Sequence, residues 1–269
     1  MAAKDFDGSD LERAVPPVAG LKSYVVIPAR LASTRLPRKL LLAETGKPVI
    51  QHTYESAQRA SRPHGICVAT DHDEMLQAVH AFGGMARMTS AACASGTDRV
   101  AEVARGLPEA DIIVNVQGDE PEIAGEAIDR AIELLEMSPE INMSTLATPI
   151  RSRELLVDPA CVKVVFDDRH RAMYFSRSPI PHARDWSDSL LHAPLPIFYQ
   201  HLGLYAYRRE FLLRMATLPP AALEQVEKLE QLRVLAAGHA IAVAVVPQAA
   251  RGIDTWADYR AFVERQSAR

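Results

Sequence analysis

Four times between residues 24 and 137, a short run of apolar, largely β-branched residues gives way to a stretch of helical periodicity. This alternation constrains the fold more than any other feature of the chain. Strand patterns over 24–27, 65–69, 85–88 and 112–116 are interleaved with helix patterns over 48–60, 73–82, 97–105 and 126–137. In the first helix Ile50, Tyr54 and Ala57 share a face, and Gly83-Gly84 ends the second. Apolar strands separated by helices are covered on both faces. The pattern therefore predicts an α/β fold, a Rossmann-like, mostly parallel sheet with helices on both faces. Right-handed crossovers place every strand-to-helix loop along one edge, so loops 28–39, 70–73 and 117–121 are expected to converge there.

The second half changes character. Residues 143–149, 162–166, 172–176 and 201–207 are strand-like, and Asp167-Asp168-Arg169-His170 reads as a hairpin turn. A smaller mixed or antiparallel subdomain, or an insertion extending the sheet, is expected there. Residues 181–198, rich in Pro, His, Asp and Ser, read as a loop. A helix over 223–237, a strand over 241–246 and a helix over 255–265 complete the pattern. Residues 1–22 include Val15-Pro16-Pro17-Val18 and read as a flexible leader. That leaves 23–269 as a single domain, with the subdomain at about 150–235.

The net charge of −4 gives no sign of a broad nucleic-acid surface, so the basic loop described next is a local feature. Cys67, Cys93 and Cys161 are odd in number and form no C-x-x-C, which argues against a disulfide framework or a structural zinc site. No run is apolar enough to span a bilayer, and the N-terminus lacks a signal-peptide pattern. A cytoplasmic enzyme is expected, with no membrane or nucleic-acid partner.

The first strand stops at Pro28, and the loop after it carries Arg30, Arg35, Arg38 and Lys39 together with Ser33 and Thr34. Isolated loop cations are usually solvated, but four in ten residues at this edge suit an anion, with a nucleoside triphosphate first among candidates. Walker and dinucleotide-fingerprint glycine spacings are absent. Gln117-Gly118-Asp119-Glu120-Pro121 follows the most apolar strand. It reads either as a strand-end turn or as a place where Asp119 holds Mg²⁺ against phosphates. Asp254 in Gly252-Ile253-Asp254-Thr255 is an equal candidate for second metal ligand or helix cap. Ser95-Gly96-Thr97-Asp98-Arg99 opens a helix, as a plain N-cap or as a nucleotide contact at the positive helix end. Among nine scattered histidines, His201 lies in an apolar run and is singled out.

Taken in order, the motifs form a set. They are Ile27-Pro28-Ala29-Arg30 through Arg35-Leu36-Pro37 and Lys39, then Val68-Ala69-Thr70-Asp71, Ser95 to Arg99 and Asn115 to Pro121. Tyr174-Phe175-Ser176-Arg177, His201 to Tyr207, Leu229-Glu230-Gln231-Leu232-Arg233 and Gly252 to Thr255 follow. From about Ser23 to the last helix this set resembles the 3-deoxy-manno-octulosonate (Kdo) cytidylyltransferase family. The first motif is shared with sialate-activating relatives, whereas the tyrosine, histidine and Leu229–Arg233 motifs point to Kdo. The resemblance implies a nucleotidyltransferase-type fold and transfer of CMP from CTP to Kdo for lipopolysaccharide assembly, with Mg²⁺ as cofactor and a homodimer as the assembly. By similarity, Arg30, Arg35 and Lys39 would bind the triphosphate. Ala29, Ser33, Asp71, Ser95, Gly96 and Arg99 would surround the nucleoside. Asp119 and Asp254 would hold the metal, and Gln117, Arg177, His201, Tyr205 and Gln231 would face the sugar acid. Lys39, Arg30, Asp119 and Asp254 are the residues expected to carry catalysis. The chain departs from the pattern at Arg38, where glycine is common, at Leu40, where proline is common, at Ala92-Cys93-Ala94, and at Ala249-Ala250-Arg251. Another acidic sugar, an 8-amino Kdo analogue among them, is the alternative substrate. A non-catalytic nucleotide-binding protein is the alternative from another class.

Overall fold

The computed structural model describes residues 20–31 and 35–268. Ser33 and most of the expected leader lie outside the described residues. The strands, in chain order, are β1 (Ser23–Ala29), β2 (Gly65–Thr70), β3 (Ala86–Met88), β4 (Ile112–Asn115), β5 (Met143–Pro149), β6 (Lys163–Phe166), β7 (Ala172–Ser176), β8 (Tyr199–Arg208) and β9 (Ile241–Val245). The helices are α1 (Val49–Ala57), α2 (Asp73–Ala81), α3 (Gly96–Arg105), α4 (Gly125–Met137), α5 (Arg153–Val157), α6 (Arg209–Met215), α7 (Ala222–Glu227), α8 (Gln231–Ala236) and α9 (Trp256–Ser267).

The main sheet runs β3-β2-β1-β4-β8-β5-β9. Pairing is parallel for β1 with β2 and β4, for β2 with β3, and for β5 with β9. Strand β8 is wedged antiparallel between β4 and β5. The fold is thus mixed but mostly parallel, as the alternation predicts. Strands β5 and β8, read from the sequence as part of an antiparallel subdomain or of an insertion extending the sheet, both belong to the main sheet. Strands β6 and β7 form a hairpin beside it, joined to β8 where Lys163 pairs with Gln200.

Two apolar cores lie on opposite faces. Helices α1, α2, α4 and α9 contribute Ile50, Val79, Ile128 and Phe262 to one. Helices α3, α6 and α8 contribute Val100, Phe211 and Leu232 to the other. Alternation within β4 sends Ile112 and Val114 to the first core and Ile113 to the second, which puts Asn115 on the second face. A small satellite core of Ile150, Leu156, Cys161, Leu191 and Phe198 sits under segment 181–198, which includes a short 3-10 turn at Asp188–His192.

One expected element is broken. The helix expected over 223–237 is two short helices, α7 and α8, separated at Lys228, which adopts φ 55 and ψ 47. Glu224 clamps across this break: Arg233 Nε donates to Glu224 Oε2 at 2.8 Å. Apolar periodicity continues through the break, which is why the sequence reads as one helix.

Candidate active site

The carboxyl ends of β1, β2 and β4 lie side by side, with Ala29 in register with Thr70 and Val26 with Asn115. Their following loops meet at one edge, as right-handed crossovers require. Gly118 allows the closest approach. A Cβ there would sit 3.1 Å from the Pro28 carbonyl oxygen and 3.2 Å from Leu40. The segment before α9 returns to the same edge, where Ile253 N donates to the Asp119 carbonyl at 2.9 Å.

Lys39 is the centre of this edge. Its ammonium donates to a carboxylate oxygen of Asp119, to the Ile253 carbonyl at 3.0 Å and to Asp254 Oδ1 at 3.2 Å. Arg35 reaches Asp254 Oδ1 at 2.8 Å from the solvent side. Arg30 donates to the Cys93 carbonyl at 3.2 Å, tying the basic loop to the segment before α3. Together these residues line a cavity of about 380 Å³ with Pro28, Leu40, Gly96, Gln117 and Gly118. Arg38 does not join them. It takes a left-handed conformation, φ 56, and pairs with Glu74 in the first turn of α2.

A second cavity, of about 460 Å³, shares Gly96, Gln117 and Asp254 with the first and extends beneath β8 and α8. His201, Tyr205, Asn115, Glu120, Glu230 and Gln231 are on its walls. Thr145 Oγ1 lies 2.8 Å from the Leu204 carbonyl, 3.1 Å from that of Leu202 and 2.9 Å from His201 Nε2. Its single proton goes to a carbonyl, so the hydroxyl accepts from His201 Nε2–H, and this network assigns the tautomer. Burial lowers the His201 pKa to about 3, so the ring is neutral. Burial, then the neighbouring Asp119, pushes Glu120 up to about 8. Burial, with Glu230 and Glu120 nearby, also raises the Tyr205 phenol, keeping it protonated. Gln117 Nε2 donates to the Gly203 carbonyl at 3.1 Å across the junction.

Three of the residues expected around the nucleoside take the following places in the structure. The Arg99 side chain is fully buried; it donates to Asp71 Oδ2 at 2.7 Å and to the Thr89 hydroxyl, so it reaches the edge only by holding the Asp71 carboxylate. Ser95 caps α3, accepting from Asp98 N at 3.1 Å in a reciprocal capping box. Ala29 is fully buried and in the sheet ladder, so its side chain does not face the cleft.

Arg177 lies apart from the other residues expected to face the sugar. Its guanidinium donates to the carbonyls of Glu227 at 2.8 Å and Pro159 at 3.0 Å, behind the wall of the larger cavity. It braces the α7–α8 break and is not brought into the cavity. Nearby, the buried Lys163 ammonium donates to the carbonyls of Asp158, Cys161 and Arg177 at 2.9, 2.6 and 2.6 Å.

The motif reading singled out none of Asn115, Thr97, Glu120 or Glu230 as site residues, although all four line the larger cavity. Glu120 and Asn115 stand within four residues of Asp119 in the sequence, a signal available but unused. Glu230, which accepts from Thr97 Oγ1 at 2.7 Å, is placed by the helix break, which the sequence pattern hides. Among the described residues no cluster of three or more His, Cys, Asp or Glu side chains is disposed to hold a metal ion, and no helix is long and apolar enough to cross a membrane.

Comparison with known proteins identifies the family. The cytidylyltransferase family model matches residues 24–241. A 3-deoxy-manno-octulosonate cytidylyltransferase of Rhodopirellula baltica is 54% identical over 91% of this chain and 98% of the relative. An 8-amino-3,8-dideoxy-manno-octulosonate cytidylyltransferase of Shewanella piezotolerans is 47% identical over 88% of this chain and 95% of the relative. A CMP:2-keto-3-deoxy-manno-octonic acid synthetase solved as a complex with CTP superposes with a TM-score of 0.85 at 40% identity, covering 92% of this chain and 99% of that one. By family model, by relatives and by fold, the chain belongs to the 3-deoxy-manno-octulosonate cytidylyltransferase family of the cytidylyltransferases.

Proposed function

We propose that the protein transfers CMP from CTP to Kdo, forming CMP-Kdo and pyrophosphate. The observation that carries this reading is that Lys39 and Asp119 line a basic cavity and Lys39 is bonded to Asp254, which with Gly96 and Gln117 also lines the adjoining cavity of hydrogen-bonding groups. In this reading the triphosphate lies in the smaller cavity, against Arg30, Arg35 and Lys39. The sugar acid lies in the larger one, against Gln117, His201, Tyr205 and Gln231. The junction brings the anomeric hydroxyl to the α-phosphate. An oxygen–phosphorus bond forms to the sugar, the bond to the β-phosphate breaks, pyrophosphate leaves, and the hydroxyl proton is released.

Such transfer depends on positioning and charge neutralisation. Lys39 supplies a fixed positive charge beside the reacting phosphate. The Arg99–Asp71 pair holds the nucleoside side of the cleft, and the neutral His201, fixed by Thr145, offers Nδ1 as an acceptor to a sugar hydroxyl. The carboxylates of Asp119 and Asp254 already converge on one cationic point, Lys39 Nζ, and this fits a Mg²⁺ ion held by one or two carboxylates plus phosphate oxygens. Bound there, the metal supplies charge neutralisation at the α-phosphate.

A cytoplasmic homodimer completes the reading. The region at about 150–235 exposes Met173, Leu195 and Val226, which are 66%, 78% and 82% accessible, and it is assigned the dimer contact. Light scattering that returns a monomer at micromolar concentration refutes that assignment. The functional test is pyrophosphate release from CTP with and without Kdo and Mg²⁺, run beside sialate and the 8-amino analogue. Release that requires Kdo and Mg²⁺ is expected, and release indifferent to the sugar acid rejects the proposal.

A further inference from the structure

A sugar acid brings an ionised carboxylate into the larger cavity, and a charge drawn out of bulk water needs a partner. The wall offers few cations. Glu120, Glu230 and Asp254 line it with acid groups, and His201 is neutral. Two cations behind the wall are already engaged by backbone carbonyls. Arg177 donates to those of Glu227 and Pro159, and Lys163 to those of Asp158, Cys161 and Arg177. Among the described residues that line the cavity, Lys228 is the single lysine or arginine. It is half-buried, and its ammonium enters no hydrogen bond or ion pair with another described residue. Its backbone is as unusual as its charge. Lys228 closes α7 at φ 55 and ψ 47, the left-handed region that glycine enters freely and other residues seldom do. The turn is held on both sides: Lys228 N donates to the Glu224 carbonyl, and Arg177 Nε donates to that of Glu227 at 2.8 Å. Glycine would make the same break without strain. Lysine makes it with a cation attached, on a four-carbon stem that lets the ammonium sweep the adjoining wall.

We infer that Lys228 is a specificity-determining residue whose ammonium pairs with the carboxylate of the bound sugar acid. This inference rests on the proposed reaction, in which the larger cavity holds the sugar. It adds the group that distinguishes an acidic sugar from a neutral one, one residue ahead of the Leu229–Arg233 motif. It also gives the helix break a use. The strained turn presents the charge at the wall, and Arg177 acts through that turn as a positioning residue, without touching the sugar.

The test compares Kdo with its carboxamide, in which the acid is replaced by a neutral amide, by kcat/KM for pyrophosphate release. The wild type is set beside Lys228→Met, Lys228→Gly and Lys228→Arg. The wild type is expected to favour Kdo over the carboxamide by about tenfold or more. Lys228→Met removes the charge and keeps the stem. It should raise the KM for Kdo about tenfold and reduce the discrimination to within about threefold, with the KM for CTP within about twofold. Lys228→Gly relieves the backbone strain and should show the same losses, which a purely structural role for the break would not give. Lys228→Arg keeps a cation and should retain most of the discrimination. A CTP-induced thermal shift reports that each variant is folded. If Lys228→Met and Lys228→Gly keep the wild-type KM for Kdo and the wild-type discrimination, the inference fails. If the wild type shows no Kdo-dependent release at all, the proposed reaction fails instead, and the two failures are distinct.

Discussion

Replacing Lys39 by Met removes one charge from the centre of the site and keeps most of the side chain's packing. Lys39 is 15% exposed and is shared between Asp119, 28% exposed, and Asp254, 50% exposed. At 3.2 Å from Asp254 and an effective dielectric near 20, the attraction is on the order of 5 kcal/mol before desolvation is subtracted. A hydrogen bond to a charged group nets about 1.5–3 kcal/mol after that subtraction. Two effects follow, with opposite signs. Loss of a fixed cation beside the reacting phosphate should lower kcat/KM for CTP about a hundredfold, equivalent to roughly 2.7 kcal/mol. Removal of the cation that competes for Asp119 and Asp254 should make those carboxylates bind a divalent ion about tenfold more tightly in the absence of nucleotide. Steady-state kinetics measures the first effect and calorimetric titration with Mn²⁺ or Mg²⁺ the second. Unchanged kcat/KM, or weaker divalent-ion binding in Lys39→Met, refutes the argument that this ammonium and the metal share one pair of ligands.

Arg99→Met leaves Asp71 without its buried partner and is expected to cost about 2–3 kcal/mol in chemical denaturation, with a raised KM for CTP and an unchanged KM for Kdo. His201 is neutral in the folded chain down to about pH 3, whereas the unfolded chain protonates it near 6.5. The unfolded state therefore binds more protons between those values, and stability falls as pH drops through that window. The loss from this residue is about 2 kcal/mol at pH 5, and His201→Gln should flatten the slope of stability against pH by that amount. Arg177→Ala strips donors from the Glu227 and Pro159 carbonyls, so a stability loss of about 1–3 kcal/mol should accompany a raised sugar KM with the CTP KM unchanged.

The parallel part of the sheet was legible because β-branched runs and helix periodicity agree with each other at every step from Ser23 to Met137. The same agreement made the loop convergence legible, since crossover handedness leaves one edge for Lys39, Asp119 and the loop after β2. Asp254 was legible only as one of two readings, and the structure places it at the start of the α9 cap with its carboxylate turned to the site edge. Its carboxylate meets Lys39 and Arg35, and its own backbone N–H donates to Asp258, within the cap of α9. Three features were hidden. Strand β8 inserts between β4 and β5, a long-range choice that no local pattern records. Lys228 breaks a helix whose apolar spacing never falters, and a non-glycine residue at positive φ gives no local signal. The expected sugar-facing role of Arg177 and the direct nucleoside contact of Arg99 came from motif position alone. Which carbonyls or carboxylates a guanidinium meets is settled by tertiary packing.

The central claim is that one junction, built by Lys39, Asp119 and Asp254, joins a nucleotide to a sugar acid. Phosphorus NMR of the protein incubated with CTP, Kdo and Mg²⁺ tests it directly. The account predicts a phosphodiester resonance of CMP-Kdo rising in step with free pyrophosphate, both abolished when Kdo is omitted. CTP that binds and shifts its resonances yet remains intact with every component present would contradict it.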